Sequence, residues 1–248
     1  MKKINHRLDP EFPTWELSAR ELSHLSPELL DVPHPPSRLY IQGREEALDL
    51  LKKLPERGLS IVGTRTPQGK SLGLIQKEIP ALTSFPLVIV SGFARGVDTQ
   101  AHETALEHQL PTIAILGTGI DQDYPKPNRS LRLKILKASG LMISEYAPGQ
   151  PGLGHQFLLR NRLIAGWSKA TLMVQAGFRS GALNTASWCR QMNRTCYAVP
   201  CFPGDPFLGG NQVLLDRDHA EPFWGIHSLG SSWLELATQS THPASASA

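Results

Sequence analysis

Six short apolar runs, each ending in a turn of small residues that leads into a helical pattern, restrict what this chain can fold into more than any other feature. They are Leu59–Val62, Leu87–Val90, Thr112–Leu116, Leu141–Ile143, Thr171–Val174 and Thr195–Val199. Strands that are apolar on both faces and alternate with helices belong to a parallel sheet buried on both sides, and right-handed crossovers make such a sheet doubly wound. The pattern predicts an α/β fold, with a doubly wound, mostly parallel sheet and helices on both faces. Ligands of such folds bind outside the carboxyl ends of the strands. The segments that follow the runs should therefore line one crevice: "GTRT", "SGFARGVD", "GTGID", "SEY", "QAGFRSGALNTA" and "PCFPGDP".

The first of these segments continues to Gly69-Lys70-Ser71, which has the tail of a phosphate-cradling P-loop. A P-loop needs four residues between its glycine and Gly-Lys-Ser, so that successive backbone N–H groups curl round one phosphate. Here five residues separate Gly63 from Gly69, and Pro67 removes one of the N–H groups. Arg65 is the informative residue of this turn, and Lys70 reads as a solvated helix residue.

The bulk properties exclude several classes. With 248 residues, 40% hydrophobic and 19% charged, the chain is long enough for a sizeable core. It contains no apolar run near the roughly 20 residues that span a bilayer. The start, "MKKINHRLDPEF", lacks the apolar stretch of a secretion signal, so a cytoplasmic location without membrane partners is expected. Cys189, Cys196 and Cys201 lack zinc-site spacing and read as thiols of a reducing compartment; no metal or cofactor is expected. A net charge of +3 permits an anionic partner. Residues 1–40 read as a short, proline-dense N-terminal extension with short helices at Glu16–Leu22 and Pro27–Leu30, 41–237 as the sheet domain, and 238–248 as a disordered tail. A helix is also expected over Glu45–Leu54.

Three strand ends pair glycine or serine with arginine: Gly63-Thr64-Arg65, Ser91-Gly92-Phe93-Ala94-Arg95-Gly96 and Gly177-Phe178-Arg179-Ser180-Gly181. Arg160-Asn161-Arg162, near an expected helix start, adds two more cations. Glycine lets the backbone approach a ligand, a helix start adds partial positive charge, and the guanidinium fork matches phosphate. Five arginines beside one predicted crevice favour an anion pocket over five unrelated surface residues. Of the nearby carboxylates, Asp98 reads as a helix-dipole partner, Asp121 as a turn residue and Glu145 as the counter-ion of a pocket arginine; Asp123 has no assigned role. Neither His102 nor His155 has metal-ligand spacing, and no Ser/His/Asp set can be assembled. Phe93, Tyr146, Phe157 and Phe178 interleave with the arginines, as a nucleic-acid track with stacking platforms requires.

These segments resemble the DNA-processing protein A family (DprA, also called Smf). The resemblance rests on "IVGTR" from Ile61, "SGFARGVDTQAH" from Ser91, "AILGTGIDQDYP" from Ala114, "SEY" from Ser144, "RNRLIAGWS" from Arg160 and "QAGFRSGALNTA" from Gln175. With "AVP" from Ala198 and "GGNQVL" from Gly209 it covers roughly Leu39 to Leu215. It implies an extended Rossmann-like fold that binds single-stranded DNA, protects incoming strands and loads the recombinase RecA during natural transformation, as a homodimer and without catalysis. Carried over by position, the DNA-contacting residues are Gly63, Thr64 and Arg65; Ser91, Gly92, Arg95 and Gly96; Arg160, Asn161 and Arg162; and Arg179, Ser180 and Gly181.

The chain departs from the family pattern at three positions. Leu159 stands where a basic residue is usual, Gln175 where Glu is typical, and Cys201 where Gly is typical. About 33 residues follow the match, so no winged-helix domain is expected there, only a closing strand or helix. Two rival readings stay open. One is a nucleotide-binding hydrolase of phosphoribohydrolase type, whose "PGGxGTxxE" loop would be replaced here by "GFRSGALNTA" with Asn184 and Thr185 but no acid. The other is a partner-recruiting module with a vestigial crevice.

Overall fold

The computed structural model describes residues 2–4, 11–201 and 205–229. All six apolar runs are strands of one sheet: β4 (Gly58–Gly63), β5 (Val88–Ser91), β6 (Thr112–Leu116), β7 (Leu141–Ser144), β8 (Ala170–Gln175) and β9 (Thr195–Ala198). Three strands precede them, β1 (Lys2–Ile4), β2 (Thr14–Ser18) and β3 (Arg38–Gln42), and the two-residue β10 (Glu221–Pro222) follows. The sheet order is β1-β2-β3-β7-β6-β5-β4-β8-β9-β10. From β4 to β10 every pairing is parallel, whereas β1, β2 and β3 join through antiparallel pairs, the last of them onto β7. This is the α/β, doubly wound, mostly parallel architecture that the runs predict.

The helices are α1 (Ala19–Leu25), α2 (Asp49–Arg57), α3 (Gly69–Glu78), α4 (Val97–Glu107), α5 (Arg129–Lys137), α6 (Gly154–Gly166), α7 (Leu183–Gln191) and α8 (Gly209–Asp216). They cover both faces of the sheet. Within β4, Leu59 and Ile61 pack with Ile75 of α3 and Val97 and Ala101 of α4, while Val62 packs with Leu163 of α6 and Leu51 of α2 on the other side. That period-two division explains why the strands read as unbroken apolar runs. A third apolar cluster packs Leu131, Ile135 and Leu136 of α5 against Ala114, Leu116 and Met142.

Two expectations about the first part of the chain change. The helix expected over Glu16–Leu22 is strand up to Ser18 and helix only from Ala19. Ser18 is the turning point: its side chain accepts from the Glu21 N–H while the Glu21 carboxylate reaches back to the Ser18 N–H, a capping box that starts a helix at Ala19 and no earlier. Glu16 stays extended, paired with Tyr40 across the ladder and with Arg38 at 2.6 Å. Residues 14–42 also continue the main sheet through β2 and β3. The expected helix over Glu45–Leu54 is a single 3-10 turn, Glu45–Leu48, followed by α2. Pro27–Leu30 forms the short helix expected there, of 3-10 type. The tail 238–248 lies outside the described residues.

The sheet reverses its winding at β4. The chain moves from β4 outward through β5, β6 and β7, then returns to lay β8 on the opposite side of β4. This switch point opens a crevice at the carboxyl ends of β4 and β8. The ladder between them slips at Val62/Gly63, so Val62 faces Met173 but Gly63 faces Gln175. Beneath the crevice, the Ser60 hydroxyl donates to the Ile164 carbonyl of α6 at 2.7 Å and lies 2.7 Å from the Ser168 hydroxyl. Trp167, fully buried, donates its indole N–H to the Leu29 carbonyl at 2.8 Å, tying α6 to the N-terminal region.

Asn211 closes the other side. Its amide nitrogen donates to the carbonyls of Met173 (3.1 Å), Val174 (3.3 Å) and Val199 (3.0 Å), and its oxygen accepts from the Ala176 N–H at 2.8 Å. The side chain is fully buried, so these groups have no water to fall back on. We expect Asn211→Leu to orphan the buried Ala176 N–H and to lower stability by about 2–3 kcal/mol, read as a fall of roughly 5–10 °C in Tm.

Candidate anion site at the switch point

A pocket of about 380 Å³ fills the crevice. The β4 end gives it Gly63, Thr64 and Arg65; the loop after β5 and the start of α4 give Ala94 and Asp98; α6 gives Phe157, Arg160 and Asn161; and the loop after β8 gives Ser180 and Gly181. Of the residues read from the sequence, seven meet here: Gly63, Thr64, Arg65, Arg160, Asn161, Ser180 and Gly181. Gly92 and Arg95 line an adjoining cavity instead. Gly96 packs against the Thr64–Arg65 backbone, and Arg179 is exposed outside both cavities.

Arg160 forms the floor. It lies within α6, two turns beyond the helix start, and is only 4% exposed. Its Nη1 donates to the Gly92 carbonyl at 2.7 Å and to the Ile115 carbonyl, and its Nε donates to the Asn161 side chain at 3.2 Å. Its Nη2 has no hydrogen-bond partner among the described residues, and a Cβ on Gly92 would stand 2.7 Å from that atom. Only glycine leaves space there. A buried guanidinium with one open end is an anion-binding group, because its charge is poorly screened and its free N–H groups are unspent.

Arg162, two residues on, is placed differently. Its Nη1 and Nη2 grip the Glu145 carboxylate at 2.7 and 2.5 Å, and its other donors go to the carbonyls of Pro33, His34 and Leu159. All five N–H groups are committed. Glu145 is thus the counter-ion of Arg162, and the pair fastens α6 to the end of β7 and to the segment around His34. Ser91 is also turned inward, fully buried and donating to the Ile61 carbonyl at 2.6 Å.

Asp98 carries more than the helix-start position suggests. It is buried, accepts from the Ala94 N–H at 3.2 Å and lines the pocket. Burial pushes its carboxyl pKa up, against the pull of the Arg160 charge. The same burial lowers Arg160 to about 10, with Asp98 acting in the opposite direction. One turn further along α4, buried His102 is pulled down to about 3, so it is neutral at ordinary pH.

The loop glutamine and lysine are structural. Gln175 accepts from the Gln68 N–H at 2.9 Å through its side chain and from the Thr64 N–H at 2.7 Å through its carbonyl, fixing the turn that carries Arg65. Lys70 is paired with Asp205 at 2.5 Å and lines neither cavity. Among the expected aromatic platforms, Phe93 is in the core, edge-on to His102, at a left-handed φ of 61°. Phe157 is at the site, with the Arg65 guanidinium 5.9 Å over its ring. Phe178 is 67% exposed beside Arg179, and Tyr146 is half-buried. Leu159, in place of a basic residue, is exposed at the surface of α6 and lends only its carbonyl, to Arg162. Cys189 and Cys196 are buried thiols, and half-buried Cys201 donates to Gln212 at 3.0 Å. Among the described residues no cluster of His, Cys, Asp or Glu is placed to hold a metal ion, and no helix is long and apolar enough to cross a membrane.

Comparison with known proteins agrees with the resemblance. The model of the family described as DNA recombination-mediator protein A matches residues 6–232. Protein Smf of Synechocystis is 40% identical over 178 residues, which is 71% of this chain and 44% of that protein. DNA processing protein DprA of Streptococcus pneumoniae is 38% identical over 193 residues, 78% of this chain and 61% of the relative. This chain therefore spans less than two thirds of the length of these relatives. Among solved structures, DprA of S. pneumoniae superposes with a TM-score of 0.74 at 32% identity, covering 88% of this chain and 73% of that one. Helicobacter pylori DNA processing protein A, in a study of its single-stranded DNA binding mode, superposes with a TM-score of 0.76 at 26% identity, covering 92% and 97%. On the family match over most of its length, supported by the shared fold, this chain belongs to the DNA recombination-mediator protein A (DprA/Smf) family.

Proposed function

We propose that this chain is a non-catalytic, single-stranded DNA-binding recombination mediator of the cytoplasm. It protects incoming strands and loads RecA onto them during natural transformation, acting as a homodimer. The observation that carries the DNA-binding part is the open end of Arg160 at the floor of a pocket whose rim holds Arg65 over Phe157. A buried cation takes a phosphate and an arginine-backed ring stacks a base, and together these recognise a nucleotide in a strand whatever its sequence. Protection and RecA loading rest on family membership.

The residues assigned to DNA are Gly63, Thr64, Arg65, Gly92, Arg95, Gly96, Arg160, Asn161, Arg179, Ser180 and Gly181. Arg162 and Ser91, first grouped with them, are assigned to the scaffold that holds α6 and β5. The hydrolase reading has less support. Asp98 is the one carboxylate among the pocket's lining residues, and no histidine or second acid lines the pocket to share acid–base work with it.

Fluorescence anisotropy with single- and double-stranded oligonucleotides across a salt series tests the reading. Single strands should bind more tightly, with log K falling about 3 per decade of salt if the four assigned arginines displace counterions. Arg65→Glu should abolish binding without lowering Tm, and unchanged affinity would sink the assignment. Release of free base from AMP or GMP would favour the hydrolase.

The pocket carboxylate adds a pH effect. As pH falls through the raised pKa of Asp98, the group becomes neutral, the pocket gains one unit of positive charge, and DNA affinity should rise. Asp98→Asn should bind about fivefold more tightly than the parent at neutral pH, a Coulomb effect of about 1 kcal/mol. Its affinity should also lose the acid-side increase, measured by the same titration at a series of pH values.

A further inference from the structure

The anion pocket shares a wall with a second cavity of about 410 Å³. Arg65, Ala94 and Phe157 line both, so an occupant of one abuts an occupant of the other. The wall is fixed. A Cβ on Gly117 or Gly152 would come within 2.6 or 2.7 Å of the Phe157 ring, so the ring lies directly on two stretches of backbone. On the far side stands Tyr124, 46% exposed, its ring centroid 5.3 Å from that of Phe157 and tilted by 40°. Exposed Arg95 completes the rim.

The chemistry of the two cavities differs. The first has several polar side chains and the Asp98 carboxylate, whereas the second is lined mainly by aromatic and apolar residues, with two arginines, Thr66 and no acid. Its side chains offer few hydrogen-bonding groups for the edge of a base, but its aromatic rings can meet a base face. Arg65 lies between the cavities, where a phosphate linking two occupants would pass.

We propose that the second cavity is the slot for the base of the neighbouring nucleotide, with Tyr124 as its stacking platform and Arg95 on the following phosphate. The site then takes two successive nucleotides, one on each side of Phe157. This inference rests on the single-stranded DNA reading. Because the second slot reads the face of a base, it discriminates little among bases.

Competition by unlabelled thymidylates of one, two, four and six nucleotides against a labelled oligonucleotide tests it on the full chain. In the parent, affinity should step up sharply between one and two nucleotides. In Tyr124→Leu that step should shrink about tenfold, the size of one lost stacking contact; Tyr124→Phe should keep it, and mononucleotide affinity should be equal in all three. An unchanged step in Tyr124→Leu would overturn the slot while leaving the DNA reading intact. Failure of the parent to bind any oligonucleotide would overturn both. Photo-crosslinking of the parent with dinucleotides carrying 5-iodouracil at either position needs no variant. One of the two positions should label the Tyr124 peptide, and labelling confined to other peptides would overturn the slot.

Discussion

A cation that cannot leave the protein organises this structure. Arg160 rises from α6 with its guanidinium almost wholly buried, and an unsatisfied ion there would be prohibitive. The cost is met by carbonyls from two neighbouring strand ends, Gly92 after β5 and Ile115 within β6, and by the nearby carboxylate of Asp98. Those contacts fix the loops that border the crevice. Ser60 holds the same helix from below through the Ile164 carbonyl, so the cation's position is set from both ends of α6. What remains of the guanidinium faces the pocket already oriented, and little freedom is lost when an anion arrives.

Arginines that look alike in the sequence do three different things. Arg160 gives part of its guanidinium to the scaffold and, in the proposed reading, the rest to a ligand, whereas Arg162 is scaffold alone, its fork filled by Glu145. Arg65, Arg95 and Arg179 are exposed, and their entropy is spent only when a ligand orders them. In the proposed reading, an inner cation gives strength and register, while outer ones supply reach along a polymer.

The sheet was legible because its signal is physical: a strand buried on both faces must be apolar at every position, and six such runs survive any error at their ends. The end of the sheet that carries the site followed from the same logic, whereas the reversal of winding at β4 is seen only in the structure. Direction of side chains was not legible. Arg160 and Arg162 are neighbours on one helix, yet 3.6 residues per turn sends one into the crevice and the other to β7, and no feature of "RNR" says which. Phe93 sits in an arginine loop, but its left-handed backbone turns the ring into the core. Tyr124 lies within the "GTGIDQDYP" segment, where no adjoining arginine marks it as a site residue. The N-terminal strands were hidden by prolines and by a β2 whose polar residues Glu16 and Ser18 imitate a helix start.

Among the described residues the sheet has ten strands, and its two outermost members, β1 and β10, are three and two residues long. One carries two lysines and the other a proline. A protein gathered in many copies on a polymer is held at high local concentration, where open rows of backbone donors and acceptors would zip copies together. Among the described residues those rows are only three and two residues long at the two margins, which limits edge-to-edge pairing between copies.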